Sequence, residues 1–404
     1  MKDVPRNPSR TAPVLLLSLS HGCVDLYQGA VAALVPFFVA ERAYTYAAAS
    51  GLVLAASLLS SVAQPLFGAL TDRWPLPWLL PVSSLLGGVG IALSGLSGSY
   101  ALTLALMAVS GLGVAAYHPE SARVARLVSR GRHTSMGWFS FGGNLGFAAA
   151  PLLVAGVAVG GLRLTPLLVL PALAGSVLCL MVLRAKAAPG TGAPGAGRLA
   201  GDDDRRSFVK LSLAVVCRSV TFVGISTFLS LYAQQRTGGG TTAGTAALFT
   251  LYLGGAAGTV LGGRLAGRWD RVTVVRWSYL LTVVAVAGLV FVPGPALYVC
   301  VALTSAGLYV PFSLQVTLGQ DYLPSRVGTA GGVTLGLTVS VGGLAGPLIG
   351  AVADATSLRT ALTPLIALPA LAWLVCRTLP EPAGPRHVPA APHTRRTPTP
   401  AGEV

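Results

Sequence analysis

Charged residues are scarce in this chain: Asp, Glu, Lys and Arg make up 10% of its 404 residues, and 13 residues are acidic. A soluble protein of this length carries about a quarter charged residues. A single water-soluble core also cannot bury a hydrophobic fraction as high as 53%. The composition therefore excludes an ordinary soluble fold and predicts a protein whose surface faces a lipid bilayer.

Cysteine is also rare, and no cysteine stands at the spacing that a metal site requires. The sequence contains no phosphate loop, zinc motif or nucleophile elbow, and "GGNLGF" does not follow a strand as a dinucleotide-binding motif would. We expect neither a cofactor nor enzymatic activity. We interpret the five cysteines as small apolar residues within apolar runs: Cys23, Cys179, Cys217, Cys300 and Cys376.

Long apolar runs are abundant instead. A spanning helix needs about 20 apolar residues, and twelve such stretches follow one another, which predicts an all-α membrane protein with twelve transmembrane helices. Their approximate cores are residues 14–38, 46–70, 78–97, 100–121, 136–159, 164–183, 208–233, 243–266, 274–293, 295–317, 329–352 and 359–379.

One long polar stretch, "AKAAPGTGAPGAGRLAGDDDRR", separates the sixth and seventh predicted spans, and both tails are rich in Pro and Arg. The chain therefore divides into two halves of six helices each. The predicted segments are a cytoplasmic N-terminal tail (1–13), a first half (14–184), a cytoplasmic central loop (185–206), a second half (207–379) and a cytoplasmic C-terminal tail (380–404).

The basic residues test this topology. If the N-terminus is cytoplasmic, 23 of the 28 Lys and Arg residues fall in cytoplasmic segments, four fall in outer loops, and Arg218 alone lies deep within a span. Cytoplasmic loops of membrane proteins carry such an excess of basic residues. The net charge of +15 is thus a topology signal for a plasma-membrane protein with both termini inside. The basic residues do not cluster on one soluble face, which argues against a nucleic-acid partner.

The two halves also repeat a short motif. "GALTDRW" begins at Gly68, after the second span, and "GRLAGRW" begins at Gly263, after the eighth, an offset of 195 residues. A second pair, "GFAAAP" ending at Pro151 and "GGLAGP" ending at Pro347, has an offset of 196. Duplicated six-helix halves are pseudo-symmetric and place a substrate cavity between them near the bilayer midplane.

Twelve spans, a central loop and the Gly-x-x-x-Asp-Arg signature of Gly68, Asp72 and Arg73 resemble the major facilitator superfamily. The resemblance implies a gating role for these three residues and for Gly263 and Arg268 in the repeat. The basic cluster that usually follows is replaced by "WPLPW", and the repeat has Gly267 where the first copy has Asp72.

Four longer stretches resemble the fosmidomycin-resistance-type facilitators within that superfamily. They are "LSHGCVDLYQG" in span one, "YHPESAR" in span four, "GWFSFGGNLGFAAAP" in span five and "LGQDYLPSRVGTAGG" before span eleven. The resemblance implies proton-driven efflux of a small drug-like compound.

His21 and Asp25 are four residues apart and share one face of the first helix. A charge at mid-membrane costs about 2.5–3.5 kcal/mol, so such residues face a cavity or a partner. Two readings stay open: a structural hydrogen bond, or a site for the coupled proton or the substrate.

His118 and Glu120 flank Pro119, which lacks an N–H and opens the helix locally. Glu120 and Arg123 are three residues apart and can pair on one face. The group is either an ion pair that closes the helix at the membrane surface, or an acid–base site that lines the cavity. In the second reading, His118 and Glu120 join His21 and Asp25 as candidates for proton coupling.

Arg218 lies within "LAVVCRSVTFVG" and requires an acid, backbone carbonyls or an anion as a partner. It either pairs permanently with Asp25 or Glu120, or binds an anionic substrate. Further candidates for contact with the substrate are Tyr27, Gln28, Asn144, Phe222, Tyr309 and Gln315. The Gly142, Gly143 and Gly146 series predicts a tight helix contact.

These observations predict a secondary active transporter that works by alternating access as a monomer, with a small molecule, protons and the lipid bilayer as partners. Proton-coupled efflux of a drug-like or metabolite substrate is the first hypothesis. Proton-coupled uptake of a small solute, with anions among the candidates, uses the same residues and is the alternative. A membrane-embedded enzyme or receptor is a third class, with no reactive constellation or sensing domain to support it.

Overall fold

The computed structural model of the protein describes residues 12–74, 76–129, 133–185, 202–326, 330–331, 333–334 and 338–382, and every regular element in these ranges is helical. Three short 3-10 segments, Leu162–Val169, Pro324–Arg326 and Thr363–Ile366, accompany the α-helices. The α-helices are α1 (Ala12–Arg42), α2 (Tyr46–Arg73), α3 (Leu79–Ser94), α4 (Tyr100–Ser129), α5 (His133–Ala158), α6 (Leu170–Ala185), α7 (Arg205–Thr237), α8 (Gly240–Ala266), α9 (Arg271–Phe291), α10 (Ala296–Tyr309), α11 (Phe312–Tyr322), α12 (Thr338–Ala355), α13 (Leu358–Leu362) and α14 (Ala367–Cys376).

Each of the twelve predicted spans has a helical counterpart. Within the described ranges, ten helical stretches are long and apolar enough to cross a membrane, and the shorter apolar helices Leu79–Ser94 and Val341–Ala355 occupy the third and eleventh positions. Three crossings are interrupted: a 3-10 turn precedes α6, α10 and α11 together form one crossing, and α13 and α14 form the last. The prediction of a twelve-helix membrane protein is confirmed.

The helical boundaries differ from the sequence estimate at two places. The helix α4 continues through Pro119 to Ser129, whereas the sequence placed the end of its span near residue 121. The helix α7 begins at Arg205 because Asp204 caps it, with the Asp204 carboxylate accepting a hydrogen bond from the Ser207 amide at 3.0 Å. Most of the two predicted tails and most of the predicted central loop lie outside the described residues.

Apolar side chains cover the exterior of the bundle, and several charged side chains are buried inside it. Large apolar side chains stand on the exterior, among them Leu66, Leu348 and Trp277, whose exposed fractions are 68%, 71% and 61%. Conversely, Glu120 and Arg218 are buried. This is the pattern that a hydrocarbon solvent selects, because exposed apolar groups cost nothing there and charged groups must be enclosed.

Glycines hold α1 against α5. A side chain at Gly142 or Gly146 would collide with the backbone carbonyls of Ser18 and Gly22, respectively, so the two helices approach backbone to backbone. Small residues permit this close packing in membranes, where van der Waals contact drives helix association. The tight helix contact predicted for this series is confirmed at Gly142 and Gly146.

Polar side chains inside the bundle satisfy their hydrogen bonds on the backbone of neighbouring helices. Tyr232 donates to the Val290 carbonyl at 2.6 Å, and Tyr279 donates to the Ala214 carbonyl at 2.9 Å. Such bonds join α7 to α9 within the second half. In lipid no water replaces a missing partner, so these pairs fix helix positions as well as satisfying polar groups.

The two halves meet along α2 and α12, and also through α5 with α8. The α2–α12 contact is closest at the end of the bundle where α2 begins, with Gly350 packed directly on Ala47. There the Asp354 carboxylate accepts hydrogen bonds from the Tyr46 and Ala47 amides at 2.7 and 2.9 Å, and Gln235 donates to the Tyr46 hydroxyl at 3.0 Å. The bundle is therefore closed at this end.

Candidate substrate and proton site

A cavity of about 550 Å3 lies between the two halves. Its walls come from α1, α2, α4 and α5 of the first half, from α7 and α8 of the second, and from the junction of α10 and α11. Of the residues predicted for proton coupling or for substrate contact, Glu120 and Gln315 are not part of this wall. The predicted residues that line it are His21, Asp25, Tyr27, Gln28, His118, Asn144, Arg218, Phe222 and Tyr309.

Asp25 is the centre of an acid–base cluster on one side of the cavity. One carboxylate oxygen lies 3.2 Å from His21 Nε2, and the other lies 3.0 Å from His118 Nε2. Gln28, one turn further along α1, donates to the same carboxylate at 3.1 Å. The structure thus joins a residue pair of α1 with a histidine of α4, a contact between helices that residue spacing alone does not reveal.

The hydrogen bonds of the two imidazole rings determine how many protons this cluster holds. His21 Nδ1 lies 2.9 Å from the Phe139 carbonyl, and His118 Nδ1 lies 2.8 Å from the Val114 carbonyl. A carbonyl oxygen can only accept, so each Nδ1 carries a proton. In a neutral ring with a protonated Nδ1, the Nε2 atom carries no proton. Both Nε2 atoms face the Asp25 carboxylate, so each of the two contacts becomes a hydrogen bond only when a proton is added between its two atoms.

The cluster therefore has two positions at which a bridging proton would form a hydrogen bond. A bare carboxylate facing two unprotonated nitrogens would meet two lone pairs, which is repulsive. One added proton bridges one contact and a second bridges the other, whether the proton resides on the carboxylate or on a ring. Asp25, His21 and His118 all line the cavity.

Local packing fixes the geometry of the cluster. The His21 ring stacks on Phe139 with the centroids 4.2 Å apart and the planes 14° from parallel. Gly143, on the next turn of α5, leaves the space that the cluster fills, because a Cβ atom there would lie 2.6 Å from His21 Cε1. The α1–α5 glycine contact brings α5 close enough to supply both the stacking surface and the open space.

Glu120 has a different environment from the cluster. Its side chain is completely buried and forms a two-pronged ion pair with Arg123, through Arg123 Nε at 2.8 Å and through Nη2. The pair lies on α4, one turn beyond His118. The predicted pairing of these two residues is thus present, and it stands apart from the cavity wall.

Arg218 occupies the opposite wall, on α7. Its side chain is 8% exposed, and its guanidinium lies 4.9 Å from the centre of the Phe312 ring. Among the residues that the structure describes, no carboxylate lies within ion-pair distance of Arg218, and its buried Nε has no hydrogen-bond partner. The permanent pairs with Asp25 or Glu120 that the sequence left open are not formed.

Aromatic side chains surround Arg218 on the cavity wall. Phe222, one turn along α7, packs edge-to-face on Tyr309 with the centroids 5.5 Å apart. Tyr252 of α8 packs against Phe147 of α5 at 4.4 Å, so this contact crosses between the halves. This wall therefore combines one cation and aromatic rings with several hydroxyl side chains, among them Ser219, Ser226, Thr259 and Ser313.

The other predicted contact residues have varied surroundings. Tyr27 donates its hydroxyl to the Leu168 carbonyl at 2.8 Å, a bond that holds α1 to the 3-10 segment before α6. Gln315 donates to the Tyr279 hydroxyl at 2.6 Å, and its carbonyl oxygen is buried without a partner. Asn144 lies on the cavity wall, on α5.

The residues predicted to act in gating lie at the ends of α2 and α8, away from the cavity. Gly68 faces Pro119 of α4, and Arg73 stacks on Trp74 at 4.7 Å. Gly263 has open space around it, and Arg268 is exposed. The Asp72 side chain lies outside the described part of the structure, so its gating role stays a prediction.

The sequence patterns do not predict the contacts of three further residues. Phe139 stacks on the His21 ring, Phe312 lies over the Arg218 guanidinium, and Asp354 accepts hydrogen bonds from the first amides of α2. Aromatic residues are common in membrane helices, which hides the first two. Asp354 could have been noticed as an acid at the end of an apolar span.

A multi-helix membrane bundle with a polar cavity between two halves defines a membrane transporter. The sequence matches the Major Facilitator Superfamily over residues 17–347. The chain belongs to this superfamily, whose members are transporters of small molecules and not enzymes.

Two curated proteins are similar over most of their length. The "Fosmidomycin resistance protein" of Escherichia coli (strain K12) is 30% identical over 369 residues, which cover 89% of this chain and 90% of that protein. The "Uncharacterized MFS-type transporter YfnC" of Bacillus subtilis (strain 168) is 28% identical over 391 residues, covering 92% of this chain and 94% of that protein.

Solved structures share the fold at low sequence identity. A bacterial homolog of the human lysosomal transporter Spinster, in an inward-facing and occupied conformation, matches with a TM-score of 0.78 and 15% identity over 92% of this chain and 97% of that one. The nucleoside transporter NupG matches with a TM-score of 0.74 and 12% identity over 91% of this chain and 99% of that one.

Proposed function

We propose that this protein is a proton-coupled exporter that moves a small anionic, drug-like or metabolite substrate across the plasma membrane by alternating access, with both termini in the cytoplasm. The observation that carries the proposal is the pairing of two unlike sites on one cavity. The Asp25 cluster holds protons on the side of the first half, and Arg218 stands without a carboxylate partner on the side of the second half.

Arg218 supplies the argument for a negative group on the substrate. A buried guanidinium without a counter-ion is unfavourable, and an anion that enters the cavity relieves that cost. Its planar fork binds carboxylate or phosphate-like groups through two parallel hydrogen bonds. The surrounding aromatic residues, Phe222 and Tyr309, provide apolar surface for the remainder of the molecule.

The Asp25 cluster supplies the argument for proton coupling. In the export cycle the cluster takes up a proton when the cavity opens outward and the substrate leaves. It releases the proton when the cavity opens inward and new substrate binds. Proton and substrate then bias the same two-state equilibrium in opposite directions, which is the requirement for coupled exchange. The similarity to the fosmidomycin resistance protein supports efflux as the direction.

One observation favours a second candidate, uptake by proton symport. With both bridging protons bound, the Asp25 cluster carries a net positive charge, and it lines the same cavity as the Arg218 cation. Two positive sites attract an anion together, so a proton and an anionic substrate would favour the same state. The direction of the gradient that drives accumulation distinguishes symport from exchange.

The experiment uses inverted vesicles that contain the protein, with fosmidomycin as the test solute and an acidic lumen. Exchange predicts accumulation in the lumen, which collapses when a protonophore dissipates the gradient. Symport predicts accumulation only when the acidic side is outside. Vesicles that lack the protein provide the control for leakage. Equal accumulation with either gradient, or with none, would contradict proton coupling.

A further inference from the structure

We propose that Asp354 is the residue that holds the two halves together at the end of the bundle where α2 begins, and that it thereby sets the balance between the two open states of the transport cycle. The inference rests on the proposed function only in assuming alternating access. It concerns an acid of α12 that faces neither the cavity nor the proton cluster.

The contact between Asp354 and α2 is a charged cap on a helix N-terminus. The first amides of a helix have no partner within the helix, and they form the positive end of its dipole. The Thr45 hydroxyl accepts from the Ala48 amide at 3.1 Å, and Asp354 accepts from the two preceding amides, at Tyr46 and Ala47. Charge-assisted hydrogen bonds of this kind are stronger than neutral ones.

The Asp354 contact connects residues from opposite halves of the molecule. In the described part of the chain, the hydrogen bonds between halves that involve side chains are those from Tyr46 and Ala47 to Asp354 and that from Gln235 to Tyr46. All of them lie at this one end. A cavity that opens here must separate α2 from α12, and the separation breaks the Asp354 bonds.

The pseudo-symmetric interface between α5 and α8 lacks this device. The offset of 196 residues that relates Pro151 to Pro347 also relates Ala158 to Asp354, and alanine offers no acceptor. Among the described residues, the carboxylate–amide contact is therefore found at the α2–α12 interface and not at the α5–α8 interface.

A matched control is present at the same end of the bundle. The Glu41 carboxylate accepts from the Leu162 amide with both oxygens at 3.1 Å, where it caps the 3-10 segment before α6. Glu41 and Leu162 both belong to the first half. Loss of this cap should cost stability, yet it does not change any contact between the halves.

The test measures the distance between two spin labels at this end of the bundle, in a chain whose native cysteines are replaced. One label is at Gly98→Cys, in an exposed loop of the first half, and the other is at Ala296→Cys, the exposed first residue of α10 in the second half. Asp354→Ala should raise the ratio of long to short distances by about tenfold, as expected for loss of charged hydrogen bonds. Asp354→Asn should give an intermediate increase, because the amide oxygen still accepts weakly. Glu41→Gln should leave the ratio unchanged.

An unchanged ratio in both Asp354 variants would overturn the inference, and so would an equal rise with Glu41→Gln. Thermal unfolding of each variant shows that the compared proteins are folded, and Asp354→Asn retains the size of the side chain if Asp354→Ala fails to fold. The measurement needs neither substrate nor a proton gradient, so its outcome is independent of whether gradient-driven transport is found.

Discussion

The two halves of the bundle place different chemistry on one shared cavity. The first half contributes an acid with two histidines, and the second contributes a single cation among aromatic rings. At the repeat offset of 195 residues, the positions equivalent to His21, Asp25 and His118 hold Val216, Val220 and Ser313. The proton cluster is therefore confined to the first half.

The features that the halves do share are structural. Gly68 and Gly263 lie near the ends of the corresponding helices α2 and α8, and Pro151 and Pro347 occupy corresponding places in α5 and α12. Duplication thus preserved the residues that set helix packing, while the residues on the cavity wall diverged. A symmetric scaffold can rock about a central axis, and asymmetric walls allow the proton and the substrate to bind different partners within it.

The largest expected effect comes from removing the titratable carboxylate of the first half. Asp25→Asn mimics a permanently protonated acid, so gradient-driven accumulation should fall by at least about tenfold, the size of a typical coupling effect. Substrate counterflow without a gradient needs no net proton movement and should partly survive. Both are measured in the same inverted vesicles. Wild-type accumulation in the mutant would move the coupling site away from Asp25, with His21 and His118 as the next residues to test.

A change in the second half should instead alter substrate selection. Arg218→Lys retains the charge and loses the planar fork, so binding of anionic compounds should weaken by about tenfold. Neutral analogues of the same size should be affected less. Competition binding across a matched series of anionic, neutral and cationic compounds measures this. A uniform loss over the series would indicate that Arg218 serves packing and not recognition.

Crowding the proton cluster tests whether its geometry matters apart from its charge. Gly143→Ala introduces a methyl group 2.6 Å from the present position of His21 Cε1, and should reduce gradient-driven transport several-fold without removing any titratable group. Gly156→Ala on the same helix is the matched control, because no atom lies within 4 Å of its Cβ position. Equal transport by the two variants would show that the cluster tolerates displacement.

The smallest effect on coupling is expected at the other acid of α4. Glu120 is buried against Arg123 and lies apart from the cavity wall. Glu120→Gln should therefore keep gradient-driven transport and lower stability by about 1–3 kcal/mol, measured by thermal unfolding in detergent. A loss of accumulation with normal counterflow, as expected for Asp25→Asn, would place Glu120 in the proton pathway.

The sequence predicted the fold well because hydrophobic length is a local signal that a bilayer imposes directly. The orientation that the basic residues indicate stays a prediction. The sequence also predicted the His21–Asp25 pair from a local signal, since residues four apart share a helix face. It did not predict that His118 joins them while Glu120 turns away, because helix rotation is set by packing against neighbours. The Asp354 contact joins positions 308 residues apart, beyond the reach of any periodic pattern.

Arg218 also bears on how the protein is made. A lone arginine near the centre of a helix opposes its transfer from the translocon into lipid by about 2.5–3.5 kcal/mol. The apolar residues in the remainder of α7 offset this cost. An 18-residue stretch of the 33-residue helix has a mean hydropathy of 1.8. Insertion of α7 nevertheless leaves a cation in hydrocarbon until the second half assembles around it and Phe312 covers the guanidinium. Biogenesis of the second half is therefore the step at which this chain depends most on prompt helix assembly.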